Sequence, residues 1–230
     1  MKSPIILALD TKEIDTAEKW ILAASEHIDH FKIGLEFYLL HGSDGIERLQ
    51  QQAEFELFLD LKLYDIPNTV KAAVESVARL KPKFLTVHAS GGSAMISAAK
   101  SALPNGSITA VTVLTSFSEA EFTSLGFTQT IDQVATSWAK MAVSAGATSI
   151  VCSPFEVSSL RDALPKTVLI TPGVRDVGDD HGDQVRVMTA QDAIRAGSDF
   201  VVIGRSITNL WDGSDKAMRT KIEQIRSSIN

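Results

Sequence analysis

The sequence predicts a single (β/α)8 TIM barrel over residues 1–230. Three observations point to it. Eight short apolar runs alternate with eight longer amphipathic stretches from end to end. Most of the runs are apolar without interruption, as parallel strands buried on both faces require. Polar and charged residues gather just after the runs, at the strand ends that form the catalytic face of a barrel. A doubly wound open sheet is the alternative that the same alternation permits.

The strands are expected at 5–9, 31–33, 55–59, 84–87, 108–114, 149–151, 168–170 and 200–203. The helices are expected at 16–26, 36–52, 69–80, 93–102, 131–145, 156–164, 190–196 and 215–227. The first three and the last carry good helix formers with Ala, Leu, Ile or Val on one face. Pro67 suits the first turn of the third, where a missing N–H does no harm. No composition shift or Pro/Gly/Ser-rich linker divides the chain.

Composition narrows the function. A hydrophobic fraction of 44% is enough for a sizeable core. A net charge of −6 argues against a nucleic-acid or membrane footprint, so anionic ligands must be held by local positive charge. Cys152 is the one cysteine, which excludes an intrachain disulfide. No window approaches a spanning helix, and only five apolar residues separate Pro4 from Asp10. A cytoplasmic enzyme is therefore expected.

The densest chemistry follows the third run, in Asp60-Leu61-Lys62-Leu63-Tyr64-Asp65-Ile66-Pro67-Asn68-Thr69. Asp60 and Lys62 are two apart, so on a strand they share a side. Charge at a buried strand end is costly unless paired. Lys32, on the neighbouring strand, would complete an alternating quartet with Asp60, Lys62 and Asp65. Such a net-neutral network holds its rotamers and its charges in a desolvated pocket. An ammonium placed there can attract developing negative charge and deliver a proton, the equipment for making and quenching a carbanion. A structural ion pair between Asp60 and Lys62 is the plain alternative.

Other strand ends add to this. Gly204 and Arg205 follow the eighth run, where a backbone N–H and a guanidinium suit phosphate, and Arg175 can reach in from the seventh. The 17 residues from Pro172 to Met188 have little apolar content and read as a lid, with Gln184 as a polar clamp. Metal binding is not indicated: His27, His30, His41, His88 and His181 are scattered, and no cysteine cluster exists. No G-x-G-x-x-G follows the first run and no G-x-S-x-G elbow is present.

The segment from Asp60 to Thr69 resembles the signature of the orotidine 5′-phosphate decarboxylase family, in its bacterial form. The likeness continues in order through Leu9-Asp10, Lys32-Ile33-Gly34, Val87-His88-Ala89, Leu114-Thr115-Ser116, Pro172-Gly173-Val174-Arg175, Gly182-Asp183-Gln184 and Val202-Ile203-Gly204-Arg205. It implies a homodimeric barrel that converts orotidine 5′-monophosphate to UMP and CO2 in pyrimidine biosynthesis, with no cofactor and no metal. By this likeness Lys62 would protonate C6 of the pyrimidine, Asp60 would sit near the departing carboxylate, and Lys32 would tie Asp60 to the ribose. Asp65 would enter the partner subunit's site, with Ile66 and Thr69 beside it. Asp10 would bind a ribose hydroxyl and Thr115 the ring. Gln184 would bridge base and phosphate, and Arg175, Gly204 and Arg205 would hold the phosphate. Ser206 and Ala190 stand where the family often has proline.

Two rivals remain. A related barrel lyase on a sugar phosphate would use Mg2+, with Glu36 as an available ligand. A catalytically silent nucleotide-binding barrel would need the quartet to be structural only.

Overall fold

The structure is a computed structural model that describes residues 3–174 and 188–229. Arg175, Gln184 and most of the expected lid lie outside these residues. Eight parallel strands close into a barrel in sequence order. They are β1 (Ile5–Ala8), β2 (His30–Gly34), β3 (Glu56–Leu63), β4 (Phe84–His88), β5 (Ser107–Val111), β6 (Ser149–Val151), β7 (Val168–Thr171) and β8 (Phe200–Ile203). Closure is made by Ile5, Ile6 and Leu7 of β1 pairing with Val201, Val202 and Ile203 of β8. The open-sheet alternative is thereby excluded.

Helices pack outside the strands: α1 (Ile14–Ala24), α2 (Leu35–Gln50), α3 (Pro67–Val77), α4 (Gly92–Ala102), α5 (Glu119–Ser124), α6 (Ile131–Ser144), α7 (Val157–Ala163), α8 (Ala190–Arg195), α9 (Arg205–Thr208) and α10 (Lys216–Ile229). None of the described helices is long and apolar enough to cross a membrane.

Strand parity divides the core in two. Leu7, Phe31, Leu59, Leu85, Ile150 and Ile203 belong to the layer packed against the helices. Ile6, Ala8, Phe58, Phe84, Val111, Val151, Ile170 and Val202 fill the barrel interior. The same alternation carries Lys32, Asp60 and Thr86 inward, each two residues beyond an interior position on its strand. The apolar interior thus ends in a polar mouth.

Four elements differ from expectation. β3, expected at 55–59, runs on to Leu63 and so includes Asp60 and Lys62. β5 stops at Val111, short of the expected 114, and Thr112 beyond it donates to the Val151 carbonyl with both its N–H and its hydroxyl. The long link to α6 then holds α5, which the strand count did not anticipate. A capping box starts α5: Ser118 accepts from the Glu121 N–H, and the Glu121 carboxylate accepts from the Ser118 N–H. Finally, α2 is broken at Gly42, where φ is 60.

The base of the expected lid is partly described. Val174 and Met188 form a bridge, and the Met188 N–H donates to the Gly173 carbonyl at 3.3 Å.

Candidate active site

The strand that positions the chemistry is irregular. Leu59 pairs with Leu85, yet Leu63 pairs with Val87, so β3 is bulged against β4 between them. Lys62 sits in the bulge with φ of 48, a left-handed conformation that few side-chain-bearing residues adopt. The expected same-side placement of Asp60 and Lys62 is therefore reached through a bulge, not along a straight strand. Lys62 Nζ lies 2.8 Å from both oxygens of the Asp60 carboxylate.

Lys32 continues the chain of charges. Its ammonium lies 3.5 Å from Asp60 Oδ2 and donates to Asp10 Oδ1 at 3.1 Å. Asp10, Lys32, Asp60 and Lys62 therefore alternate in sign across the mouth. The expected quartet contained Asp65, whose carboxylate does not join this row within its own chain. Asp65 is exposed and its carboxylate accepts from the Ile66 N–H at 2.6 Å. Residues 64–66 are exposed and link β3 to α3, whose first residue is Pro67. Asp10, from the end of β1, takes the fourth place instead.

Burial and charge compete at the centre. Burial, the largest influence on Asp60, raises its pKa. The charges of Lys32 and Lys62 and the hydrogen bonds from Lys62 and Thr86 outweigh it and hold the carboxyl below its ordinary value. Burial likewise pulls Lys32 down, but Asp60 and Asp10 together lift it above the ordinary amine value. Both groups are thus held ionised. His88, at the end of β4, is held below its ordinary value by burial first and then by Lys62. Its ring packs edge-on against Tyr64, in keeping with a structural part.

A cleft of about 250 Å³ opens above the quartet. Asp10, Lys32, Asp60 and Lys62 line one side, and Thr115, Gly204 and Arg205 line it further round. Phe58, Val111, Val151 and Val202 from the barrel interior form an apolar floor. Gly204 precedes α9, and a Cβ there would lie 3.5 Å from Asp10 Oδ2. Ile66 and Thr69, like Asp65, are exposed and do not line the cleft. Cys152 is buried and lines the cleft. Glu36 pairs with Lys12 at 3.4 Å on the surface. Among the described residues no group of three or more His, Cys, Asp or Glu side chains is placed to hold a metal ion.

One residue of the site was missed by sequence reasoning. Thr86 is fully buried, accepts from the Lys62 N–H at 2.8 Å and donates to Asp60 Oδ1 at 3.0 Å. The available signal was a lone hydroxyl in an apolar strand, at the inward-facing position two beyond Phe84.

A curated orotidine 5′-phosphate decarboxylase of Thermobifida fusca is 47% identical over 213 residues, covering 92% of this chain and 91% of that one. The orotidine 5′-phosphate decarboxylase of Gluconobacter oxydans is 39% identical over 236 residues, covering 99% of both. The crystal structure of orotidine 5′-phosphate decarboxylase from Lactobacillus acidophilus superposes with a TM-score of 0.82 at 33% identity, covering 100% of both chains. Residues 3–219 match the family described as orotidine 5′-phosphate decarboxylase / HUMPS, and the chain belongs to that family.

Proposed function

We propose that this chain is a single-domain orotidine 5′-monophosphate decarboxylase that makes UMP and CO2 in pyrimidine biosynthesis without metal or cofactor. The observation that carries the reading is the Asp10–Lys32–Asp60–Lys62 row at the mouth of the cleft. Arg205 and Gly204 line the same cleft and suit the substrate phosphate, joined in this reading by Arg175 and Gln184. Asp10 and Lys32 take the ribose hydroxyls, and Thr115 takes the ring.

In the reaction the bond between C6 and the carboxylate carbon breaks. CO2 departs, and the electron pair stays on C6. The Lys62 ammonium, fixed by Asp60, stabilises that charge without reorganisation. It then gives a proton to C6 and regains one from solvent. Asp60 places a fixed negative charge beside the departing carboxylate. Binding energy gained at the phosphate, remote from C6, can be used to hold it there.

The reading also makes the protein a homodimer with shared sites. Asp65, Ile66 and Thr69 are exposed beside their own cleft, which suits residues that complete a partner's.

The test is an absorbance assay with orotidine 5′-monophosphate, with and without EDTA, and with Lys62→Ala. Turnover should survive chelation and fall by at least ~10²–10⁴-fold in the variant, as for loss of an acid–base group. Near-normal turnover in a folded Lys62→Ala protein would refute the proton donor. Loss of wild-type activity on chelation would favour a Mg2+-dependent sugar-phosphate lyase. Tight UMP binding without turnover would favour the silent barrel.

A further inference from the structure

We propose that Thr86 is a positioning residue for the decarboxylation. Its hydroxyl ties the left-handed turn at Lys62 to the Asp60 carboxylate, so that ammonium and carboxylate meet the substrate as one rigid unit. The inference rests on the reading of the site given above and extends it to a residue that touches no substrate.

The bulge creates a need that Thr86 meets. Where β3 departs from the β4 register, the Lys62 N–H donates to the Thr86 hydroxyl oxygen at 2.8 Å, not to a strand carbonyl. An oxygen that accepts from an N–H still has one proton to give. Thr86 gives it to Asp60 Oδ1, 3.0 Å away. The same Oδ1 receives the Lys62 ammonium at 2.8 Å. The contacts form a closed ring from the Lys62 backbone through Thr86 and Asp60 to the Lys62 side chain.

Both ends of the lysine are therefore anchored through one hydroxyl. Thr86 is 0% exposed, so no water replaces it cheaply. A hydroxyl in this ring has a fixed direction: it accepts from an amide and donates to a carboxylate. Valine has the same shape and can do neither. Without the hydroxyl the amide in the bulge loses its partner and Asp60 loses a donor. The lysine is then free to leave the geometry that a transition-state charge requires.

Three variants test this, assayed with orotidine 5′-monophosphate and followed by thermal unfolding. Thr86→Val and Thr86→Ala both remove the hydroxyl, the second with less demand on packing, so one carries the test if the other folds poorly. Thr86→Ser keeps the hydroxyl and drops the methyl group. The expected result is a fall in kcat of about tenfold to a hundredfold in Val and Ala, the scale of a hydrogen bond to a charged group. KM should change little, and Ser should recover most of the loss. An unchanged kcat in a folded Val or Ala variant would overturn the proposal. So would a Ser variant no better than Val, which would show that restoring the hydroxyl does not restore the function. A rise in KM alone would also overturn it, because that reports lost ground-state binding. A wild type inactive on this substrate would overturn the reading of the site, and the proposal with it. An active wild type with unaffected variants would overturn the positioning role alone.

Discussion

Lys32 is an ammonium buried between two carboxylates, and its removal leaves a buried charge short of a partner. Asp60 would keep Lys62, while the link to Asp10 would be lost. Lys32→Ala is expected to lower unfolding free energy, as read from urea unfolding, by less than the ~3–5 kcal/mol of a buried charge left with no partner, because Lys62 still holds Asp60. The ionic linkage has a defined sign. Asp60 titrates below 3.8 in the fold, so its contribution is complete above that pH and is lost as pH falls through the folded value. Lys32 titrates above 10.5, so its contribution is complete below that pH and is lost as pH rises through the folded value. Lys62 and His88 also face Asp60, and His88 is neutral above 6.5. The stability difference between wild type and Asp60→Asn should therefore hold steady from 6.5 through neutrality and shrink below 3.8. A difference that shrank near neutrality would show that Asp60 is not held ionised. Lys32, Asp60 and Lys62 were legible in the sequence because charge at the end of an apolar strand demands a partner. The place of Asp10 in the row was not, because the contact from β1 to Lys32 depends on barrel closure and side-chain reach.

At the scale of elements, periodicity located all eight strands, because each is buried on both faces and reads as an apolar run. The bulge at Lys62 left no such trace: its sequence is that of an ordinary alternating strand end, and only pairing with β4 reveals the shifted register. The missed α5 is a different case. Its start signal, Ser118 with Glu121 three residues on, is visible in the sequence. The helix is only six residues long and mostly exposed, so no hydrophobic stripe drew attention to it. Hydrogen bonds from Ser118 hold the Glu121 carboxyl below its ordinary value, and Phe122 stacks on Phe127 with ring centres 4.2 Å apart. Cap and aromatic pair together fix this segment. Ser118→Ala should cost about 0.5–2 kcal/mol of local stability. Faster amide exchange at 119–124 with little change elsewhere would report it, and unchanged exchange there would show that packing alone holds the segment.

At the scale of the molecule, the rim of the barrel is unusually apolar for a surface left to solvent. Leu35, Leu39 and Leu40 follow β2, and Tyr64 and Ile66 follow β3. Leu39 is 78% exposed and Ile66 67%. Exposed apolar groups gathered beside a cleft are the usual mark of an interaction surface. Asp65 lies between Tyr64 and Ile66 in the chain, outside its own charged row. A second copy docked on this rim would bury the apolar groups and bring Asp65 to a neighbouring cleft, so that each site drew on two chains. Mixing distinguishes this arrangement from two independent barrels. Lys62→Ala and Asp65→Ala proteins should each be inactive alone. In a mixed dimer one site would carry both substitutions and the other neither. With random exchange about half the dimers are mixed and each holds one intact site, so roughly a quarter of wild-type activity should return. Recovery that tracks subunit exchange would establish shared sites. No recovery despite demonstrated exchange would place Asp65 in its own chain's chemistry, reached by a movement of the loop after β3.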